Sequence, residues 1–211
     1  MTADARIVIL GAGGHGKVLA AALLRNGTPV YGFADADPSL SGRKILGIAV
    51  LGGDEILESG MLLVNGIGST GRPARRREVF EKYKGMGFSF LSVIDPSAIL
   101  GPEVDIAEGA QILAGVVIQP GAYIGRNSIV NTMASIDHDV TLGAHVHVAP
   151  GAVLSGGVVV GDEVHIGTGA CVKQGVRIGS GSVIGVGAAV IADVAADSLL
   201  AGVPARSLLT S

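Results

Sequence analysis

Residues 94 to 190 place an aliphatic side chain at every sixth position. The series runs Ile94, Leu100, Ile106, Ile112, Ile118, Ile124, Val130, Ile136, Leu142, Val148, Leu154, Val160, Ile166, Val172, Ile178, Ile184, Val190. Glycine or another small residue often follows, as in Ile124-Gly125, Leu142-Gly143 and Ile166-Gly167. An unbroken hexapeptide period is the signature of a parallel β-helix. Each hexapeptide supplies one short strand and one corner, so three close a triangular coil and residues 18 apart stack. Stacked strands pair about 4.8 Å apart. The repeated aliphatic residues point inward, and small residues let the chain turn each corner. Large rings have no room inside such a coil, which explains 3% aromatic residues beside 48% hydrophobic ones.

The 211-residue chain carries a net charge of −3, which gives no general attraction to nucleic acid or membranes. No apolar run is long enough to span a bilayer, and the apolar run after Arg6 is too short for a signal peptide. One cysteine, Cys171, excludes an internal disulfide and fits a reducing cytoplasm. It reads as a small wall residue beside Val172, without a sequence-adjacent activating base.

Residues 1–92 read as a different domain: a small Rossmann-like α/β unit. Strands are expected at 6–10, 29–34 and 61–67, and helices at 17–25 and 72–84. Strands alternating with helices imply a parallel sheet with βαβ units. Residues 93–195 then form the β-helix, and 196–211 a tail. Gly11, Gly13 and Gly16 match G-x-G-x-x-G between a strand and a helix, with Asp35 following. Such a loop serves NAD, a nucleotide-linked substrate, or a purely structural turn. Its glycines let backbone N–H groups approach a phosphate at a helix N-terminus. An acidic residue at the next strand end accepts from a ribose hydroxyl. His15 is either exposed in a tight turn or a ligand contact. The run Arg72, Arg75, Arg76, Arg77 reads either as a solvated helix face or as the source of a phosphate contact from one of its members, without indicating which.

Four of five histidines fall in the repeat. His138 takes the third place of its hexapeptide, near a corner and outside the core. Asp139 follows immediately, and a carboxylate beside histidine orients the ring and stabilises its protonated form. His147 and His165 are 18 apart and should stack. They bind zinc, share a ligand, or line a surface. His145 has no evident role.

The chain resembles the bacterial nucleotide-sugar N-acetyltransferases of the hexapeptide class, the PglD-like and NeuD-like group. The resemblance spans nearly the full length. It rests on Gly11-Ala12-Gly13-Gly14-His15-Gly16, Asn131-Thr132, Ile136-Asp137-His138-Asp139, His147, and Ala201-Gly202-Val203-Pro204-Ala205-Arg206. It implies a left-handed β-helix and a homotrimer with acetyl-CoA between neighbouring helices. It further implies a nucleotide-linked amino sugar, a UDP- or GDP-4-amino-4,6-dideoxyhexose, held by the N-terminal domain, and no metal. Carried over, His138 is the general base and Asp139 takes the place of the acidic residue, usually Glu, that makes it more basic. Asn131 and His147 lie near the thioester, and the Gly156 N–H donates to its carbonyl. Thr168 and Val186 line the CoA arm. Gly13, Gly14, His15, Asp35 and Gly68 hold the nucleotide sugar. The alternatives are sugar or sialic-acid O-acetylation, a γ-type carbonic anhydrase with zinc, and a non-catalytic nucleotide-sugar scaffold. The β-helix faces are apolar at residues such as Val116, Val117, Val158 and Val159, and some of these are expected to pack between subunits.

Overall fold

A computed structural model describes residues 6–69, 71 and 74–208. The N-terminal part runs β1 (Ile7–Leu10), α1 (Gly14–Arg25), β2 (Gly32–Ala34), β3 (Lys44–Ile45), β4 (Ile48–Gly52), β5 (Leu62–Asn65), α2 (Ala74–Gly85) and β6 (Ser89–Phe90). The sheet order is β3-β4-β2-β1-β5-β6, parallel except for the β3–β4 hairpin. β1 reads Ile-Val-Ile-Leu and is buried throughout, as a central parallel strand covered on both faces must be. The chain leaves β1 first toward β2 and later returns to β5 on its other side, so a crevice opens at the carboxyl end of β1.

The expected elements are present with shifted ends. The first helix begins at Gly14 rather than residue 17, so His15 lies in its first turn. The strands expected at 29–34 and 61–67 shorten to 32–34 and 62–65. The second helix spans 74–85; Arg72 lies outside the described residues. The β3–β4 hairpin was not foreseen. Its turn places Leu46 at φ 52° and Gly47 at φ 83°, and leucine is not a residue that signals a left-handed turn.

From Val93 onward the chain winds into a parallel β-helix of three sheets. The 18-residue register holds, with Ile112, Val130, Val148, Ile166 and Ile184 aligned in one sheet. From Ile112 to Val190 the repeated aliphatic residues are at most 2% exposed. Truncating one of them, such as Ile136, to alanine would cost roughly 2–5 kcal/mol. Leu100 departs from the rule at 38% exposure, because it belongs to the first coil and has no coil below it. A second inward row lies two residues before the first and includes Ala110, Val116, Ala122, Val140 and Val158. Val116 and Val158 are therefore core residues, fully buried, and not on an outer face. Two residues that each point into their own coil cannot pack between subunits; Val117 and Val159 alone stay partly exposed.

Left-handed backbone recurs once per hexapeptide, at position three after the inward residue: Gly109, Gly115, Gly121, Asn127, Met133, Asp139, His145, Gly151. The glycines directly after the aliphatic residue serve another purpose. A Cβ on Gly125 would lie 2.2 Å from the Gly143 carbonyl oxygen in the next coil. Beyond Val190 the register shortens: Leu199–Ala201 pairs with Val183–Ile184 and then with Arg206–Ser207, so the tail closes the end of the coil.

One β-helix face abuts the α/β unit. Val93, Leu113 and Ile129 share an apolar cluster with Ile7, Ile9, Leu19, Leu23 and Val64. Fully buried Arg76 sits at this junction and donates to the carbonyls of Asn65, Ile67 and Asn127. Burial pushes its pKa down to about 9. The expectation of a solvated basic face fails here, since these carbonyls leave strand and corner without ladder partners and need a donor. His145 likewise has a structural part. It is buried, hydrogen-bonded to Asn127 and faces Glu81.

Candidate active site

His138 and Asp139 occupy one corner of the coil. His138 Nδ1 lies 2.8 Å from Asp139 Oδ2, and the ring is half exposed. The carboxylate only accepts, so Nδ1 carries the proton and Nε2 keeps its lone pair. The Asp139 hydrogen bond holds the His138 pKa above the usual histidine value, with Asp137 adding to it. Although Asp139 is one methylene shorter than the expected glutamate, its left-handed backbone at φ 57° turns the carboxylate onto the ring. Gly156, one coil above His138, faces Nε2: a Cβ there would lie 2.4 Å from that nitrogen. Gly157 N–H donates to the His138 carbonyl, and Ser155 N–H to Val172. Among the described residues the Gly156 N–H has no backbone acceptor.

A second corner carries Asn131, with Thr168 and Val186 further along the coil. Thr168 is exposed and Val186 is 77% exposed, so both present themselves to solvent. This corner and the His138 corner lie at opposite ends of the same two-residue strand, Ser135–Ile136. Within one chain, then, Asn131, Thr168 and Val186 are not brought to His138.

His147 lies on the face that meets the α/β unit. Its Nδ1 is 2.9 Å from Ser69 Oγ and 3.1 Å from the Ser69 carbonyl, and Nε2 is 3.2 Å from Asn131 Nδ2. A carbonyl only accepts, which assigns the proton to Nδ1 and makes Nε2 the acceptor for Asn131. Burial lowers the pKa of His147 to about 3, with His165, His15 and Arg76 adding to the shift. His147 and His165 stack as expected, edge to face with centroids 5.0 Å apart. Both nitrogens of His147 are engaged. Among the described residues no group of three or more His, Cys, Asp or Glu is placed to hold a metal ion.

The glycine loop completes the picture. His15 Nε2 lies 2.7 Å from Gln111 Oε1 of the β-helix, and burial lowers its pKa to about 4. Gly16 is required by packing, because a Cβ would lie 2.1 Å from the Gly11 carbonyl oxygen. Asp35 accepts from Ala12 N–H at 2.7 Å and Asp37 N–H at 2.9 Å, so it holds the loop open as well as lining it. A cleft of about 430 Å³ runs over Gly11, Gly13, Asp35, Gly68 and Arg75. It shares Gly14, His15 and Gly68 with a neighbouring cleft of about 320 Å³ that reaches Ser69, Asn131 and His147. The loop residues expected to hold a nucleotide thus meet two residues expected near the thioester. Sequence reasoning missed two residues here, Ser69 and Gln111, and left open which arginine of the basic run reaches the site. Gln111 and Ser69 contact histidines 96 and 78 positions away, and no local pattern signals that. Of the described arginines in the basic run, Arg77 pairs with Glu163 and Arg76 is buried. Arg75 remains, lining the cleft.

A Rossmann-like unit with a glycine loop, set on a left-handed β-helix with a corner His-Asp pair, defines a hexapeptide-repeat acyltransferase. Residues 6–83 match the PglD N-terminal domain family. The chain is 31% identical over 152 residues to GDP-perosamine N-acetyltransferase of Escherichia coli O157:H7, covering 70% of this chain and 69% of that protein. It superposes on a variant of perosamine N-acetyltransferase from Caulobacter crescentus in complex with CoA and GDP-perosamine. That match has a TM-score of 0.90, 38% identity and 99% of each chain covered. The acetyltransferase domain of PglB from Neisseria gonorrhoeae FA1090, in complex with acetyl coenzyme A, aligns at TM-score 0.88 and 34% identity, covering 97% of this chain and 100% of that one. The chain belongs to the PglD-like nucleotide-sugar N-acetyltransferase family. No helix among the described residues is long and apolar enough to cross a membrane.

Proposed function

We propose that this chain transfers the acetyl group of acetyl-CoA to the amino group of a nucleoside-diphosphate-linked 4-amino-4,6-dideoxyhexose. The relatives that act on or bind GDP-perosamine, and those bound to CoA or acetyl-CoA, support the substrate class. The observation that carries the chemistry is the His138–Asp139 pair, whose proton-free Nε2 faces Gly156. The neutral amine attacks the thioester carbonyl, and His138 Nε2 takes the amine proton as the bond forms. Gly156 N–H donates to the developing oxyanion. The thiolate of CoA then leaves and is protonated. Asp139 keeps the Nε2 lone pair directed at the amine and stabilises the imidazolium.

The nucleotide sugar lies along the joined clefts. Its phosphates meet the N–H groups of Gly13 and Gly14 at the start of α1, with His15, Gly68 and Arg75 beside them, and Asp35 faces the ribose. Asn131 and His147 stand at the sugar end. The working assembly is a homotrimer in the cytoplasm. One subunit's His138 corner faces another's Asn131–Thr168–Val186 corner, and acetyl-CoA fills the groove between them. Cys171, exposed on the coil, has no part in a direct transfer. The test is CoA release with a purified GDP-linked 4-amino-4,6-dideoxyhexose, with the N-acetyl product identified by mass spectrometry. His138→Ala should lower kcat by about 10²–10⁴ while CoA still binds. Near-normal turnover would sink the assignment.

A further inference from the structure

One cavity next to the glycine loop plays no part in the acetyl transfer just described. It lies at the carboxyl ends of β1 and β2, against α2, and encloses about 210 Å³. Gly11, Asp35, Ile67 and Arg75 line both it and the glycine-loop cleft, so the two are continuous. Apolar side chains of Leu10, Ile67 and Val79 form its walls; beyond the shared Asp35 and Arg75, its polar groups are Asp54, Lys82 and Tyr83.

The polar side is ordered by its own chemistry. Asp54 stands just past β4, in a short 3-10 turn. Tyr83 donates its hydroxyl proton to Asp54 Oδ1, and Lys82 Nζ lies 2.5 Å from Oδ2. These two donors hold the Asp54 carboxyl below its usual pKa, hence ionised. Its side chain stays 56% exposed. Each carboxylate oxygen has a further lone pair to offer. The cavity therefore presents a fixed pair of acceptors next to an ammonium, between apolar walls, one step beyond the ribose position at Asp35.

Apolar walls with a polar side suit a nucleobase, and the polarity of that side selects among bases. The Watson–Crick edge of guanine sets two neighbouring donors, N1–H and the 2-amino group, beside the O6 acceptor. A carboxylate takes both donors in a bidentate contact, and an ammonium takes O6. Uracil offers a single N–H between two carbonyl oxygens, one of which would face the carboxylate. Adenine and cytosine each place a ring-nitrogen lone pair there. Like groups opposed in this way reject the wrong base as strongly as good contacts retain the right one.

We propose that Asp54 is a specificity-determining residue that reads the N1–H and 2-amino edge of guanine, with Lys82 at O6. The chain then takes a GDP-linked sugar in preference to a UDP-linked one. The proposal rests on the reading that the glycine-loop cleft holds the nucleotide of the sugar substrate.

Isothermal titration of the full chain with GDP, inosine 5′-diphosphate and UDP tests it. Inosine diphosphate lacks only the 2-amino group, so this comparison needs no variant. GDP should bind about tenfold or more tightly than inosine diphosphate, the scale of one lost hydrogen bond to a charged group. UDP should bind more weakly still. Asp54→Asn should bring the GDP-to-inosine-diphosphate ratio close to one. Equal binding of the two purine nucleotides, UDP as tight as GDP, or an unchanged ratio in Asp54→Asn would each overturn the proposal. His138-dependent acetylation of a UDP-linked amino sugar in preference to its GDP counterpart would remove the guanine assignment and leave the acetyl-transfer reading intact. A preserved GDP preference with no acetyl transfer to any nucleotide-linked amino sugar would do the reverse.

Discussion

His138 and Asp139 are consecutive in the chain, yet Nδ1 and Oδ2 meet at 2.8 Å because Asp139 holds left-handed backbone at φ 57°. Neighbouring residues on an extended strand point to opposite faces. The corner brings them to one side. Gly121 makes room, since a Cβ there would lie 2.8 Å from Asp139 Oδ1.

This contact sets the first prediction. Asp139 holds the His138 pKa up, and the base works only when neutral. Activity therefore rises as pH climbs through that raised value. Asp139→Asn should lower it and move the acidic limb of the kcat/KM profile to lower pH. The loss of kcat should stay smaller than the ~10²–10⁴ expected for His138→Ala. An unchanged limb with a loss as large as that of the histidine variant would assign Asp139 another task.

Gly156 offers a sharper probe. Its φ lies outside the left-handed region, so alanine is compatible with the backbone, but the new Cβ would fall 2.4 Å from His138 Nε2. Displacing that ring should lower kcat by about 10²-fold or more, with the melting temperature little changed. Wild-type turnover in Gly156→Ala would show that Nε2 does not work at this position.

Buried histidines should make folding sensitive to mild acid. His15 and His147 have folded pKa values of about 4 and about 3, against about 6.5 when unfolded. Below pH 6.5 the unfolded chain binds protons that the folded chain refuses. Stability is thus fully present above pH 6.5 and declines as pH falls toward 4. Melting followed by circular dichroism from pH 8 to pH 4.5 should show this, and His147→Asn should flatten the slope. A flat profile in the parent protein would contradict the burial of both rings.

The two corners that the proposed groove joins are separate within one chain. Exposed apolar residues such as Met133, Val153 and Val186 fit burial between subunits. Light scattering should give a trimer. Mixed assemblies of His138→Ala and Asn131→Ala subunits, refolded together, should regain part of the activity that each variant lacks. A monomer with full activity would remove the shared groove.

The hexapeptide period alone determined the coil, its 18-residue register and the inward row from Ile112 to Val190, because a strict repeat admits one way to stack. It also located His138 and Asp139 on a corner, and the glycine spacing located the loop before α1. Where each corner pointed was left to the fold. Val116 and Val158 look like surface valines in the sequence, but a second inward row claims them. Arg76 reads as one arginine of a solvated run, but the junction needs its donors. Ser69, Gln111 and Asp54 carry no local signature, and the basic run does not say that Arg75 is the arginine at the cleft. Their places come from contacts with residues far along the chain, made only when the α/β unit folds and docks on one face of the β-helix. Periodicity fixes how a chain packs against its own next repeat; it holds no information on what a non-repeating domain will press against it.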